Sequence, residues 1–202
     1  MGSRAGVIES DYISEITAVF TTANARVRLY QMFDWLHPSQ VCYCDTDSVI
    51  FIYDETNPEH KSPEKHKPTT FEFGGGLGQW EDEFGGKDYI EELVVGGAKS
   101  YSYKTKYGCT KKGKYQVKQK GITLDMANDE VVNFDTMREM VLNTAEKGPI
   151  DKKKDKEFDP ERQIQTKERF QFKWDTQSKD IITTYISRSI RSTINEKRTI
   201  DG

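Results

Sequence analysis

"VCYCDTDSVIFIYD", residues 41–54, sets two carboxylates, Asp45 and Asp47, one residue apart in the middle of an apolar run. The Val, Ile, Phe and Tyr side chains on either side read as two short buried strands, Val41–Cys44 and Ser48–Tyr53. β-Branched and aromatic residues fit a pleated, packed surface. Asp-Thr-Asp between them is turn chemistry, so a β-hairpin with the carboxylates at its tip is expected. Like charges about 5–7 Å apart repel by about 1–3 kcal/mol at an effective dielectric of about 20–80. A hard divalent cation reverses that sign, because Mg²⁺ takes one or two carboxylates together with waters and substrate phosphates. A solvated turn, a metal site, or both at once fit the pattern.

Upstream, "DYISEITAVFTTANARVRLYQMFDWL" (residues 11–36) places apolar side chains at Ile13, Ile16, Val19/Phe20, Ala23, Val27, Tyr30 and Phe33. That spacing predicts a helix, with Asp11 as N-cap and His37-Pro38 as its end. Arg26 and Arg28 stand beside the stripe and read as a solvated face. Downstream, "NPEHKSPEKHKPTT" (57–70) is proline-rich, charged and without period, hence a loop. The "GGGLG" run lacks the strand-then-helix context and the Gly-Lys-Ser/Thr ending of a phosphate loop, so a flexible turn is expected there. "YIEELVVGGAKSYSYKTKYG" (89–108) reads as strands broken at Gly96-Gly97.

Charge then becomes one-sided. Between Gly96 and Leu124 the chain carries Lys99, Lys104, Lys106, Lys111, Lys112, Lys114, Lys118 and Lys120 and no acid, with Tyr101, Tyr103, Tyr107 and Tyr115 interleaved. Lysines that neutralise phosphates beside tyrosines that stack or hydrogen-bond suit a nucleic-acid backbone, and a soluble hairpin with a basic outer face fits equally. "VVNFDTMREMVLNTAEKG" (131–148) predicts a short amphipathic helix, with Asp135 near its start and Gly148 past its end. Further strands are expected around Ile164–Trp174 and Ile182–Ile190, and no internal repeat is visible.

The 202 residues suffice for one large or two small domains, and the net charge of −3 selects no partner. A mean hydropathy of −0.79 predicts extended exposed surface, chiefly towards the C-terminus. Cys42-x-Cys44 with a lone Cys109 supplies neither a disulfide framework nor a second zinc-ligand pair, and His37, His60 and His66 show no ligand spacing. A reducing, intracellular setting is expected. No stretch reaches membrane-spanning length, so a soluble protein without membrane contact is expected.

"YCDTDS" after a helix carrying "TTANARVRLY" resembles the C-terminal half of family B DNA polymerases, whose palm motif reads Tyr-x-Asp-Thr-Asp-Ser on a hairpin. "GGAKSYSYK" is similar to that family's Lys-x-Tyr motif, and "VKQKGITLDMANDEVVNFDTM" looks like the entry to its thumb. With "GLGQWEDE" before the Lys-x-Tyr segment, the set most resembles the protein-primed branch. That branch serves adenoviruses, some phages, linear plasmids and the Maverick (Polinton) transposons. The resemblance spans about Ile13 to Asn133 and fades after Pro149.

The resemblance implies an α+β fold, with a partial palm over residues 1–115 (a long helix on an antiparallel sheet with the acidic hairpin) and a β-rich thumb over 116–202. Asp47 would be the principal metal ligand of this segment and Asp45 the second catalytic carboxylate, for two Mg²⁺ ions in the intact enzyme. Tyr43, Thr46 and Ser48 would shape the turn. Lys99 and Tyr101 would hold the primer end, and Lys118 and Lys120 would meet the DNA backbone. Partners would be a DNA primer-template, deoxynucleoside triphosphates and a terminal protein supplying the first hydroxyl. The setting would be the nucleus or the replication site of a virus or mobile element.

The family's first palm motif, Asp-x-x-Ser-Leu-Tyr-Pro, its fingers motif, Lys-x-x-x-Asn-Ser-x-Tyr-Gly, and its exonuclease domain are not in these residues. The resemblance therefore implies a fragment, a truncated gene model or one half of a split enzyme, inactive until an upstream polymerase segment completes it. Two alternatives stand beside it. One is a noncatalytic nucleic-acid-binding remnant of such a polymerase. The other is a glycosyltransferase of the Asp-x-Asp kind, which needs a nucleotide-binding α/β half before the motif, whereas 44 residues precede Asp45.

Overall fold

Ser14 opens the long helix α1 (Glu15–Trp35), its hydroxyl accepting the Thr17 N–H at 3.2 Å. This is N-cap chemistry, placed one turn beyond the expected cap; Asp11 lies outside the residues that the computed structural model describes, which are 14–108, 113–150, 155 and 157–193. α1 ends where Leu36 becomes extended and Pro38 starts a 3₁₀ turn, Pro38–Gln40. Only the last turn of its apolar stripe is covered. Met32, Trp35 and Leu36 form a core with Phe71, against which Val41, Val49, Phe51, Phe73 and Trp80 pack. Trp35 meets Phe71 and Phe73 edge-on, each at 5.8 Å between ring centres. Ile16, Val19, Phe20, Val27 and Tyr30 are 55–73% exposed, so the periodic stripe is present but mostly uncovered.

The hairpin follows as β1 (Val41–Asp45) and β2 (Ser48–Phe51), antiparallel. β1 alternates half-buried and exposed residues, and all of β2 is half-buried. The strands thus lie on a core rather than within one, which corrects the expectation of buried strands. The register shifts between Val41 and Tyr43, leaving Cys42 as the extra residue of a bulge. Cys42 and Cys44 are free thiols at the surface, and Cys109 lies outside the described residues.

The glycine-rich loop has a packing reason. Gly74 N–H donates to Trp80 O at 2.8 Å and Trp80 N–H to Glu72 O at 2.9 Å, closing a tight turn. The Gln79 side chain folds into that turn, its Oε1 accepting the Gly76 N–H at 2.8 Å. A Cβ at Gly74 or Gly76 would collide with it. The loop is filled by its own glutamine.

The chain divides into two compact units, residues 1–81 and 82–202. In the second, β3 (Ile90–Gly97), β4 (Ser100–Thr105) and β5 (Tyr115–Gln119) form an antiparallel sheet in that order. The sheet continues across residue 115, the expected palm–thumb boundary, because β5 completes its hydrogen bonds on β4. After the short α2 (Met126–Asp129), α3 (Phe134–Lys147) starts at Asn133, which exchanges capping bonds with Thr136, and ends at Gly148 with φ 85°. α3 buries Met137 and Met140 with Val132 and Ile190, and Val117 of β5 packs on that cluster.

The expected strands after 160 exist but are each interrupted. β6 (Gln163–Gln165) pairs with β9 (Ser189–Arg191), and β7 (Arg169–Asp175) pairs with β8 (Asp180–Ile186) as a hairpin between them. The break is a clamp. Thr166 N–H donates to Arg188 O at 2.9 Å, while Arg188 N–H donates to the Thr166 hydroxyl at 2.8 Å, taking a donor from the ladder. The fold is α+β: one long helix, shorter ones, and antiparallel sheets of two or three strands.

Candidate functional site

The base of the acidic hairpin is pinned by Gln40, which is fully buried. Its side-chain nitrogen donates to Ile52 O at 3.0 Å and Lys61 O at 2.9 Å. Its oxygen accepts from His37 N–H at 3.2 Å and Lys61 N–H at 2.9 Å. His60 adds a second tie: Asp54 N–H donates to its Nδ1 at 3.1 Å, which leaves Nε2 to donate to the Ser39 hydroxyl at 3.0 Å. Both ends of β1–β2 are thereby fixed to the 57–66 loop. Downstream of β2, two hydrogen bonds from Thr56, hydroxyl first and then N–H, hold the Asp54 carboxyl below the usual carboxylate range.

From this base β1 and β2 converge on a tip where Asp45 is paired with Ser48 across a two-residue turn, Thr46-Asp47. Asp47 N–H donates to Asp45 O at 2.6 Å and Thr46 sits at φ 54°. An i→i+2 bond over a positive-φ residue is an uncommon, strained γ-turn, and a β-branched residue there is an outlier. Two hydroxyls turn onto Asp45: Thr46 Oγ1 donates to its Oδ1 at 3.0 Å and Ser48 Oγ to its main-chain oxygen at 3.0 Å. Asp45 is half-buried on the same face as Tyr43, and Asp47 is exposed.

Among the described residues no three His, Cys, Asp or Glu side chains gather as a metal cluster. The tip nevertheless offers two hard oxygen donors. That set fits Mg²⁺, which binds through one or two carboxylates and completes its octahedron with water and phosphate, and it fits poorly any ion that needs an all-protein cage.

The basic residues come together in the second unit. Tyr101 and Lys118 are direct cross-strand partners on β4 and β5, and Lys120 N–H donates to Lys99 O at 2.8 Å. Lys99 is exposed in the two-residue β3–β4 turn, Ala98-Lys99, at φ 57°. Glycine or asparagine suits that backbone better than lysine.

Two neighbours from the basic run are spoken for. Lys104 and Lys106 both pair with Glu91 of β3, at 2.9 and 3.3 Å. Hydrogen bonds from the two lysines hold the Glu91 carboxyl below its usual range. The run looks acid-free only along the chain, since the sheet supplies the acid from a neighbouring strand. Tyr103 is 8% exposed and its hydroxyl is pushed up by burial, so it is a core residue, lying parallel to Tyr101 at 6.4 Å. Lys111 and Lys112 lie outside the described residues.

Asp45, Thr46, Asp47 and Ser48, with Tyr43, therefore form one cluster in the first unit, and Lys99, Tyr101, Lys118 and Lys120 form another in the second. No described helix is long and apolar enough to cross a membrane. Comparison with protein-family models, with curated proteins and with solved structures found no match to this chain.

Proposed function

We propose that this chain is the C-terminal palm and thumb portion of a DNA-directed DNA polymerase resembling family B, of the protein-primed branch. The observation that carries the reading is the strained tip, where a β-branched residue at φ 54° holds two carboxylates on either side of it. Backbone strain of this kind costs on the order of 1–3 kcal/mol and persists where a function needs the geometry. A solvated turn would take glycine or asparagine at the position of Thr46.

In this reading Asp47 and Asp45 hold the catalytic Mg²⁺ ions, and the Thr46 and Ser48 hydroxyls orient Asp45. Two Mg²⁺ ions bound in the intact enzyme would stabilise charge on the attacking and leaving oxygens of phosphoryl transfer. Lys99 and Tyr101 hold the primer terminus, and Lys118 and Lys120 contact the DNA backbone. A terminal protein as the source of the first hydroxyl rests on the branch resemblance alone. The uncovered apolar face of α1, with Phe20 at 65% and Tyr30 at 65% exposure, supports a further polymerase segment packing there. A noncatalytic DNA-binding remnant is the second reading, favoured by the two polymerase motifs that these residues lack.

The test is reconstitution. Mixed with a polypeptide carrying the two absent motifs, the chain should extend a primer in the presence of Mg²⁺ and deoxynucleotides, and not without the ion. A remnant gives no extension with any such partner.

Lys99 allows fold and role to be separated. Lys99→Gly relaxes the left-handed backbone, so thermal stability should hold or rise by up to about 1 kcal/mol. Affinity for a labelled primer terminus should still fall several-fold. Unchanged primer affinity, read by fluorescence anisotropy, would remove Lys99 from the site.

A further inference from the structure

Beside the β3–β4 turn, Gly96 and Gly97 of β3, Lys120 after β5, and Arg188 and Arg191 at β9 line an open cleft of about 350 Å³. Its walls are fixed. Thr193 N–H donates to Gly96 O at 2.7 Å, and a Cβ at Gly97 would collide with Thr193. The Arg188 backbone is clamped to Thr166, and its guanidinium lies over Gly121, where an added Cβ would come within 2.7 Å of Nη1. Gly121 also needs its freedom for φ 74°.

Six cations of this unit are matched by acids. Lys104, Lys106, Arg138, Lys147, Arg162 and Lys167 all sit in ion pairs. Among the described residues no carboxylate pairs with Lys120, Arg188 or Arg191, and none lines the cleft. Uncompensated cations converging on one concavity call for an anion. The backbone N–H groups of Lys120 and Thr193 are already used on Lys99 O and Gly96 O. The charged donors are the long side chains of Lys120, Arg188 and Arg191 around an open cleft. A single nucleotide phosphate is better served by a nest of free backbone N–H groups; a trough of side-chain cations suits successive phosphates.

We propose that this cleft binds the sugar–phosphate backbone of a nucleic-acid strand, with Lys120, Arg188 and Arg191 each neutralising a phosphate. The site rests on the polymerase reading only for the identity of the strand as primer-template DNA; strand binding needs no catalysis. Arg188 and Arg191 carried no sequence signal as a site, because a strand expected to end at Ile190 does not reveal that the chain beyond it bonds to Gly96 of β3.

The experiment measures binding of labelled single-stranded and duplex oligonucleotides to the 202-residue chain, over about 50–200 mM salt. In K120Q/R188Q/R191Q the slope of log K against log salt should shrink by about 2–3, at about 0.7 per cation for single strands and 0.9 for duplex. Affinity at the lowest salt should fall by about tenfold or more. The charge-conserving K120R/R188K/R191K should keep the slope, as should K67Q/K87Q/K179Q, which removes equal charge elsewhere. An unchanged slope in the first variant, or an equal loss in the last, overturns the site. Competition with pyrophosphate separates sources: pyrophosphate binding without oligonucleotide binding overturns the strand assignment. A salt slope that depends on these residues, in a protein that never extends a primer, retains the cleft and removes the polymerase reading alone.

Discussion

Asp47→Ala, in the chain completed by a segment bearing the two absent motifs, should lower nucleotide incorporation by at least about 10³-fold and leave DNA affinity within about twofold. The size follows from what a carboxylate at this tip would do. Metal stabilisation of phosphoryl-transfer charge contributes several kcal/mol, and about 4 kcal/mol is a factor of about 10³. DNA affinity is spared because the change removes a negative charge and no cation. Asp45→Ala should act in the same direction, with an added structural cost, since Asp45 receives the Thr46 hydroxyl and is paired with Ser48. Activity of the Asp47 variant equal to that of the parent would end the assigned role. A loss of DNA binding in step with activity would point to general damage instead.

Gln40→Leu should destabilise the first unit by about 3–5 kcal/mol, enough to unfold a marginal domain. Leucine fills the space but strands partners inside the protein. The His37 and Lys61 N–H groups and the Ile52 and Lys61 carbonyls all bond the Gln40 side chain, at 2.9–3.2 Å. Each buried group left without a partner costs about 1–3 kcal/mol, and water entering the gap recovers part of it. Urea unfolding followed by tryptophan fluorescence reads the change. A loss below about 1 kcal/mol would mean that the hairpin is held by its apolar contacts with Trp35 and Phe71 instead.

The features legible in the sequence were those written in local patterns. The helix after Ser14, the hairpin around Asp45 and Asp47, and the helix ending at Gly148 each follow from period, turn chemistry or capping over a few neighbours. What stayed hidden depends on residues far apart in the chain. Gln40 meets Lys61 across 21 positions. Glu91 reaches Lys104 and Lys106 only through sheet register, which turned an apparently bare basic run into a partly neutralised one. The Thr166–Arg188 clamp cut two expected strands into four because a hydroxyl replaced a carbonyl as acceptor. α1 shows the opposite limit. Its apolar period is real, yet period alone says nothing about what covers a face, and residues from Ile16 to Tyr30 lie largely open.

The central claim is that the tip at Asp45-Thr46-Asp47 is a divalent-cation site, and paramagnetic Mn²⁺ tests it most directly. Titrated into isotope-labelled protein, Mn²⁺ should broaden the backbone amide signals of residues 43–49 before any others, and Asp45→Asn/Asp47→Asn should abolish that selectivity. Broadening that begins in the other acidic stretch, Glu81-Asp82-Glu83, and leaves the hairpin tip no more affected than the rest of the chain would contradict the account.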